Sequence, residues 1–303
     1  MYFFRREKVQ CRYQFSLRDA VDLTLLQRAL TTALASAPYY TQRLVQEKRE
    51  MWLEPNTEPC LVYHGSTMRN IPEQTNGYLF CVSCEGDTIY FDWHHFLLDG
   101  HGVSPLFTSI LEQYCNLRYG TAFAVQQIVC DPPYDMDAML AEHPPVEGGS
   151  DAIQRDVVQT YEGTLRRTRV CLSKQSLVEK ALANNAKPVS ALMGLLCMAM
   201  REYLGKEKIQ YSYSSDTRDV AGVPHALYNC VCSFEHTVQL QAKTRLADLV
   251  SDIDADIKRD LQPQSKRRRM TEQMGWVYKV DQQKAPLRIK QRVFQMGEYI
   301  GGT

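Results

Sequence analysis

The sequence lacks an excess of either charge and lacks any long apolar run. It has 35 Lys and Arg against 35 Asp and Glu, so its formal net charge is zero. Because no global field favours nucleic acid or an anionic membrane, we expect neither as a partner. No window approaches the roughly 18 apolar residues of a membrane span, and residues 1–12 lack the apolar stretch of a secretory signal. We therefore expect a cytoplasmic protein.

Several common catalytic motifs are also missing. The sequence has no Gly-x-Ser-x-Gly elbow and no phosphate-binding loop of the Walker type. Gly100 and Gly102 begin a pattern similar to the dinucleotide-binding Gly-x-Gly-x-x-Gly, but its last glycine is absent. These absences disfavour serine hydrolase chemistry and nucleotide binding through either Gly-rich loop.

Cysteine is not scarce, but its pattern does not indicate a disulfide framework. The chain has 10 cysteines and no secretory signal, which favours reduced core residues. Cys81 and Cys84 stand three apart in a predicted strand and so face opposite sides, which disfavours a zinc site. Cys230 and Cys232 would share a strand face, where apolar neighbours predict sheet core.

The composition predicts a sizeable core divided between two halves. Hydrophobic residues make up 44% of the chain and charged residues 23%, which is typical of a globular protein. The segment 131–150 is rich in Pro and Gly and has no periodicity, as expected of an interdomain connection. We therefore predict one domain over residues 1–150 and a second over residues 151–303.

Periodicity predicts similar elements in the two halves. In the first half we expect strands at 12–16, 42–45, 51–53 and 61–64, and a hairpin over 77–84 and 88–93. We also expect two helices. One is capped by Asp22; the other has Ser104 as its N-cap and Pro105 as its first residue, and it runs to Gly120. In the second we expect strands at 169–172, 208–214 and 227–240, and helices at 174–184, 189–204 and 246–261. The helix over 189–204 is nearly all apolar, so we predict that it is buried.

The residues best suited to catalysis follow the predicted hairpin. His94 and His95 stand at its end, and Asp99 and Gly100 follow shortly after. An imidazole is largely neutral at neutral pH and can accept a proton, as a general base must. Adjacent residues of an extended strand point to opposite faces, so only one of the two histidines would face a substrate. The alternative is a pair of polar strand-end residues followed by a surface turn.

A metal site is the nearest rival for this segment. His95 and Asp99 have the i, i+4 spacing that joins two ligands on a helix. The glycines at 100 and 102 and Pro105 disfavour a helix there, and no matching His or Cys cluster occurs elsewhere. We therefore expect no metal.

The pattern His-His-x-x-x-Asp-Gly resembles the signature of the condensation-domain and CoA-dependent acyltransferase superfamily, which includes chloramphenicol acetyltransferase and alcohol acetyltransferases. Segments 13–38, 215–218 and 228–230 are similar to other parts of these proteins. The resemblance implies an α/β, chloramphenicol acetyltransferase-like two-layer sandwich, with two similar subdomains and a tunnel between them. Members usually continue with further strands beyond the equivalent of residue 303 and carry an Asp-Phe-Gly-Trp-Gly motif, so the second subdomain is expected to be shortened.

The resemblance also implies an activity. The protein would be an acyltransferase, alcohol acetyltransferase-like or condensation-like, that moves an acyl group from a thioester to a small-molecule alcohol or amine. The thioester would be acyl-CoA or phosphopantetheine on an acyl carrier protein, as co-substrate, with no cofactor bound permanently. His95 would be the general base, and His94 would point into the structure.

Three further residues would support this site. Asp99 would be structural and paired with an arginine, for which Arg218 is the first candidate and Arg12 the second. Gly100 would let the backbone approach the reacting atoms.

Two alternatives stay open. The chain would be a catalytically silent binding or partner module of the same fold if it lacks the closing strands, and an exposed sheet edge would then favour a homodimer. The basic run 266–269 would either attract the phosphates of CoA or a carrier, or be a solvated loop or helix end.

Overall fold

The computed structural model describes residues 10–144 and 171–301, with side chains up to residue 294. These residues form two compact units. The first contains residues 10–136, 221–230 and 275–301, and the second contains residues 137–144, 171–220 and 231–274. The predicted boundary at residue 150 lies outside the described residues. So does half of the predicted strand 169–172, and its last two residues belong to no strand.

The first unit contains six strands, all of which were predicted: β1 (Gln10–Ser16), β2 (Gln42–Gln46), β3 (Met51–Pro55), β4 (Val62–His64), β5 (Phe80–Glu85) and β6 (Thr88–His94). Four of them form a sheet in the order β1-β6-β5-β4. In this sheet β4 and β5 are parallel and the other neighbours are antiparallel. The strands β2 and β3 form a separate antiparallel hairpin in the same unit.

Two helices, α1 (Leu23–Ala35) and α2 (Gly100–Tyr119), pack together and bury the core of this unit against the sheet. The predicted cap of α1 is confirmed, because the Asp22 carboxylate accepts a hydrogen bond from Leu25 N at 3.0 Å. The predicted end of α2 is confirmed as well: Gly120 has φ 67°, a left-handed conformation that glycine adopts without strain.

The predicted start of α2 is wrong. The helix begins at Gly100, and Asp99 is its N-cap, accepting from Gly102 N at 2.8 Å. Ser104 lies inside the helix and donates from Oγ to the carbonyl of Gly100 at 3.0 Å, and Pro105 also lies inside. A carboxylate caps a helix as well as a hydroxyl does, and it also interacts favourably with the helix dipole. The helix therefore starts after Asp99, although glycines at 100 and 102 disfavour helix.

The second unit pairs two long strands with helices. β7 (Lys208–Asp216) and β8 (Val231–Gln239) form an antiparallel ribbon. The predicted strand 227–240 is therefore shorter, and residues 227–230 precede it. The helices of this part of the chain are α3 (Met136–Glu142), α4 (Lys174–Ala183), α5 (Pro188–Leu204), α6 (Arg218–Ala221) and α7 (Leu246–Asp260).

Helix α5 is buried on one side only, so the prediction that it lies wholly in the core is wrong. Small side chains such as Ala191 and Cys197 are buried, whereas Leu196 is 49% and Tyr203 78% exposed. The small residues allow close packing on α7, since a Cβ on Gly194 would lie 2.8 Å from the Val250 side chain. Periodicity of apolar residues does not distinguish such a one-sided contact from full burial.

The basic run 266–269 lies in the first two turns of a helix, at the predicted helix end, but the prediction that it is solvated is wrong for Lys266 and Arg269. Two helices not predicted from the sequence follow α7: α8 (Pro263–Asp281) and α9 (Leu287–Gly301). Within α8, the buried Lys266 forms a salt bridge with Asp219, and Arg269 donates to the carbonyl of Ser233 at 2.6 Å. These cations are therefore engaged with the protein itself.

The cysteines are free thiols, and five of the ten are buried. Burial disfavours the thiolate and raises the pKa of Cys81 to about 12 and that of Cys232 to about 11. Such thiols are poor nucleophiles at neutral pH. Over residues 10–144 and 171–301, no helix is both long and apolar enough to cross a membrane.

A buried carboxylate joins α5 and α7 and gives a pH-dependent prediction. Asp254 accepts from Lys187 N at 2.8 Å and Ser190 Oγ at 2.7 Å, and its other oxygen lies 2.7 Å from Lys258 Nζ. Burial raises the pKa of Asp254, but these hydrogen bonds outweigh it and hold the pKa below its ordinary value. The stability that Asp254 contributes is therefore complete above about pH 4 and lost as the pH falls through its lowered value.

We expect Asp254→Asn to lower the free energy of unfolding at pH 7 by about 2 kcal/mol, because hydrogen bonds to a buried charged group are weakened. The deficit should shrink as the pH falls from about 4 through the lowered pKa of Asp254, because the carboxylate becomes protonated first in the unfolded and then in the folded protein. Thermal unfolding followed by circular dichroism at pH 7 and at low pH measures this, with Asp252→Asn, an exposed position on the same helix, as the control. A deficit of the same size at low pH would contradict it.

Candidate active site

The two adjacent histidines occupy different environments at the end of β6. His94, the last strand residue, is 1% exposed, and its Nδ1 accepts a hydrogen bond from Phe96 N at 3.1 Å. An accepting Nδ1 has no proton, so the neutral ring of His94 carries its proton on Nε2. His95 begins the turn after the strand and is partly exposed. Its imidazole is the more accessible of the two.

Asn229 contacts the His95 ring. Its side-chain nitrogen lies 3.1 Å from His95 Nδ1, although 134 residues separate the two in the sequence. An amide nitrogen only donates, so in this orientation Nδ1 accepts and the neutral ring is protonated on Nε2. With the amide turned over, its oxygen accepts from Nδ1–H, and the neutral ring then carries its lone pair on Nε2. The orientation of Asn229 therefore selects which ring nitrogen of His95 can act as a base.

Asp99 fixes two backbone segments around this pair. Its side chain is almost fully buried; Oδ1 accepts from Gly102 N at 2.8 Å and Oδ2 accepts from Cys230 N at 2.9 Å. The first bond holds the start of α2, and the second holds the residue directly after Asn229. The carboxylate thus holds together the two segments that carry His95 and Asn229.

The two arginines predicted as partners of Asp99 both bind other aspartates. Arg12 donates from Nε and Nη2 to the two oxygens of Asp92, at 2.6 and 2.7 Å. Arg218 is buried, and its backbone N–H and Nη1 lie 2.9 and 3.1 Å from Asp216 Oδ1. The pairing of Asp99 with Arg218 stays a prediction.

The glycine that permits a close backbone approach is Gly102. A Cβ on Gly102 would lie 1.8 Å from the carbonyl oxygen of Leu227, whereas a Cβ on Gly100 would meet only Tyr13 Oη, at 3.4 Å. Gly102 therefore lets α2 lie directly against the segment that leads to Asn229. Four of the predicted site residues lie close together where β6 ends and α2 begins: His94, His95, Asp99 and Gly100.

Sequence reasoning missed the roles of Asn229 and Gly102. Asn229 lies within the similar segment 228–230, which was the available signal, but nothing in the sequence shows that it contacts His95. Gly102 had been interpreted as part of a helix break. In the part of the chain with described structure, no group of three or more His, Cys, Asp or Glu side chains could hold a metal ion.

Comparison with known proteins shows similarity at the level of structure. No family model matches the sequence, and no curated protein matches it. Polyketide synthase associated protein 5 from Mycobacterium tuberculosis superposes with a TM-score of 0.64 at 19% identity, over 86% of this chain and 71% of that one.

Two domains of peptide synthetases are also similar. The first condensation domain of the CDA synthetase gives a TM-score of 0.56 at 16% identity, over 85% of this chain and 69% of that one. The epimerization domain from the third module of tyrocidine synthetase B gives 0.56 at 14% identity, over 86% and 69%. The chain therefore has the mixed α/β fold of these condensation and epimerization domains.

Proposed function

We propose that the protein transfers an acyl group from a thioester to an alcohol or amine, with His95 as general base. The observation that carries this proposal is the contrast between the two motif histidines. His94 is buried with Nδ1 occupied, whereas His95 is accessible and held at Nδ1 by Asn229. A general base must be an imidazole that a substrate can reach and whose orientation is fixed.

The chemical step uses the orientation in which the Asn229 amide oxygen accepts from Nδ1–H of His95, so that Nε2 carries the lone pair. The acceptor O–H or N–H gives its proton to Nε2 of His95 while its heteroatom forms a bond to the thioester carbonyl carbon. The tetrahedral intermediate then collapses, the C–S bond breaks, and the thiolate takes the proton from the imidazolium. The base is regenerated, so no cofactor is consumed and none needs to be bound permanently.

The other parts of the site have supporting roles in this proposal. Asp99 and Arg218 position the loop and do not exchange protons with the substrate. The donor is acyl-CoA or an acyl group on the phosphopantetheine of a carrier protein. We do not assign the phosphates to the run 266–269, because Lys266 and Arg269 bind other groups of the protein.

Incubation of the protein with acyl-CoA and acyl-carrier donors, together with a panel of primary alcohols and amines, tests the proposal. We expect free thiol and acylated acceptor in equal amounts, measured by thiol titration and mass spectrometry. A folded protein that forms no product with either donor class would instead support the catalytically silent module.

Asn229→Ala is expected to lower kcat about threefold to tenfold with little change in KM, because one hydrogen bond that orients the base is lost. The double variant with His95→Ala supplies the control. If Asn229 acts through His95, the double variant is no slower than His95→Ala alone. A further loss of the same size in the double variant would show that Asn229 acts independently.

A further inference from the structure

A large cavity lies within the first unit. Its volume is about 1140 Å³. The β2–β3 hairpin forms one wall, the extended segment 127–133 another, and α8 and α9 close it. Its apolar lining includes Leu44, Trp52, Leu53, Ile128, Val277 and Phe294.

The cavity is lined in part by sequence neighbours of His95 and Asn229. Phe96 and Tyr228 both line it, and they directly adjoin His95 and Asn229 in the sequence. The hydrogen bond between His95 and Asn229 therefore joins the two segments at the edge of this cavity.

The charges around the cavity do not suit a phosphate. Among the residues that the structure describes, its lining contains no Lys, Arg or His. Of its two carboxylates, Asp131 accepts from His225 N at 2.7 Å, and Asp281 lies 3.5 Å from Lys290 Nζ. An anionic nucleotide would meet two carboxylates in this lining, with Lys290 already paired to one of them, whereas an apolar chain would meet leucine, isoleucine and aromatic side chains.

We infer that this cavity binds the apolar chain of a medium- or long-chain substrate, with its reacting end at His95. The second part of this inference rests on the proposed function. A volume of about 1140 Å³ far exceeds the needs of an acetyl group, so the site discriminates by chain length. Burial of each methylene should tighten binding roughly fourfold until the cavity is filled.

Calorimetric binding of butanoate, octanoate and dodecanoate to the full chain tests the cavity without turnover. We expect affinity to rise steeply along this series and to be retained in His95→Ala. Equal affinity for butanoate and dodecanoate would overturn the inference. Because these acids carry no thioester, tight binding of dodecanoate in a protein that transfers no acyl group would separate failure of the proposed function from failure of the cavity.

Two matched valine substitutions localise the binding. Val129 lines the cavity and is 61% exposed, while Val125, in the same extended segment, is 48% exposed and lies outside the lining. We expect Val129→Lys to weaken dodecanoate binding at least tenfold by placing an ammonium group at the apolar wall, and Val125→Lys to leave it unchanged. Equal effects of the two substitutions would overturn the assignment.

Steady-state kinetics show whether the apolar chain in the cavity belongs to the acyl donor or to the acceptor. One series varies the acyl length of an N-acetylcysteamine thioester with a short alcohol, and the other varies the alcohol with an acetyl donor. The series in which KM falls with length identifies the substrate whose chain enters the cavity. If KM is independent of length in both, the inference is wrong even where transfer itself occurs.

Discussion

Replacing His95 with alanine is expected to slow acyl transfer by about 10²- to 10⁴-fold, the contribution of a positioned general base. Without the imidazole, the acceptor proton must leave to water as the C–O or C–N bond forms. His95 is partly exposed, so the substitution creates no core cavity, and the fold should be retained. Initial rates of thiol release and of product formation measure the effect, and circular dichroism verifies folding.

Two other histidines are the comparison for this prediction. His64→Ala removes an exposed imidazole from β4 of the same sheet and should leave the rate unchanged. His94→Ala removes a buried ring that accepts from Phe96 N, so we expect its main effect on the melting temperature. A His95→Ala protein that keeps most of the wild-type rate, or a His64→Ala protein that is equally slow, would refute the assignment of the base.

Gly102→Ala is expected to destabilise the protein by roughly 3 kcal/mol, the upper range for an overpacked position. The new methyl group would lie 1.8 Å from the carbonyl oxygen of Leu227, and a backbone oxygen cannot rotate away as a flexible side chain can. Either α2 or the segment around Leu227 must move. Because that segment carries Asn229, activity should fall together with stability. Urea unfolding and transfer rates measure the two effects.

Gly100→Ala is the matched control on the same helix turn. A Cβ there meets only Tyr13 Oη, at ordinary van der Waals distance, and the residue is helical. Alanine is favoured over glycine in a helix by up to about 1 kcal/mol, so this variant should be as stable as the wild type or slightly more so. The prediction would be wrong if the two alanine variants were equally stable.

Local chemistry accounts for what the sequence predicted well. The cap at Asp22, the glycine that ends α2 at Gly120 and the β5–β6 hairpin each depend on residues within a few positions of each other. The same holds for the pair His94 and His95, since an imidazole pair at a strand end must divide between two faces. Competition between two local signals explains the main local error: Asp99 and Ser104 both suit a helix cap, and the better-placed carboxylate prevailed.

The amino-acid sequence by itself determined the mixed α/β elements and the segment that carries the candidate base, because propensity, capping and alternation act over short distances. The tertiary structure decided which distant groups meet that base. Asn229 reaches His95 across 134 residues, Cys230 N binds Asp99 across 131, and Gly102 makes room for Leu227. It also decided that α5 is buried on one side only and that the basic run lies in a helix with partners of its own. These outcomes depend on packing between segments far apart in the chain, which no local pattern specifies.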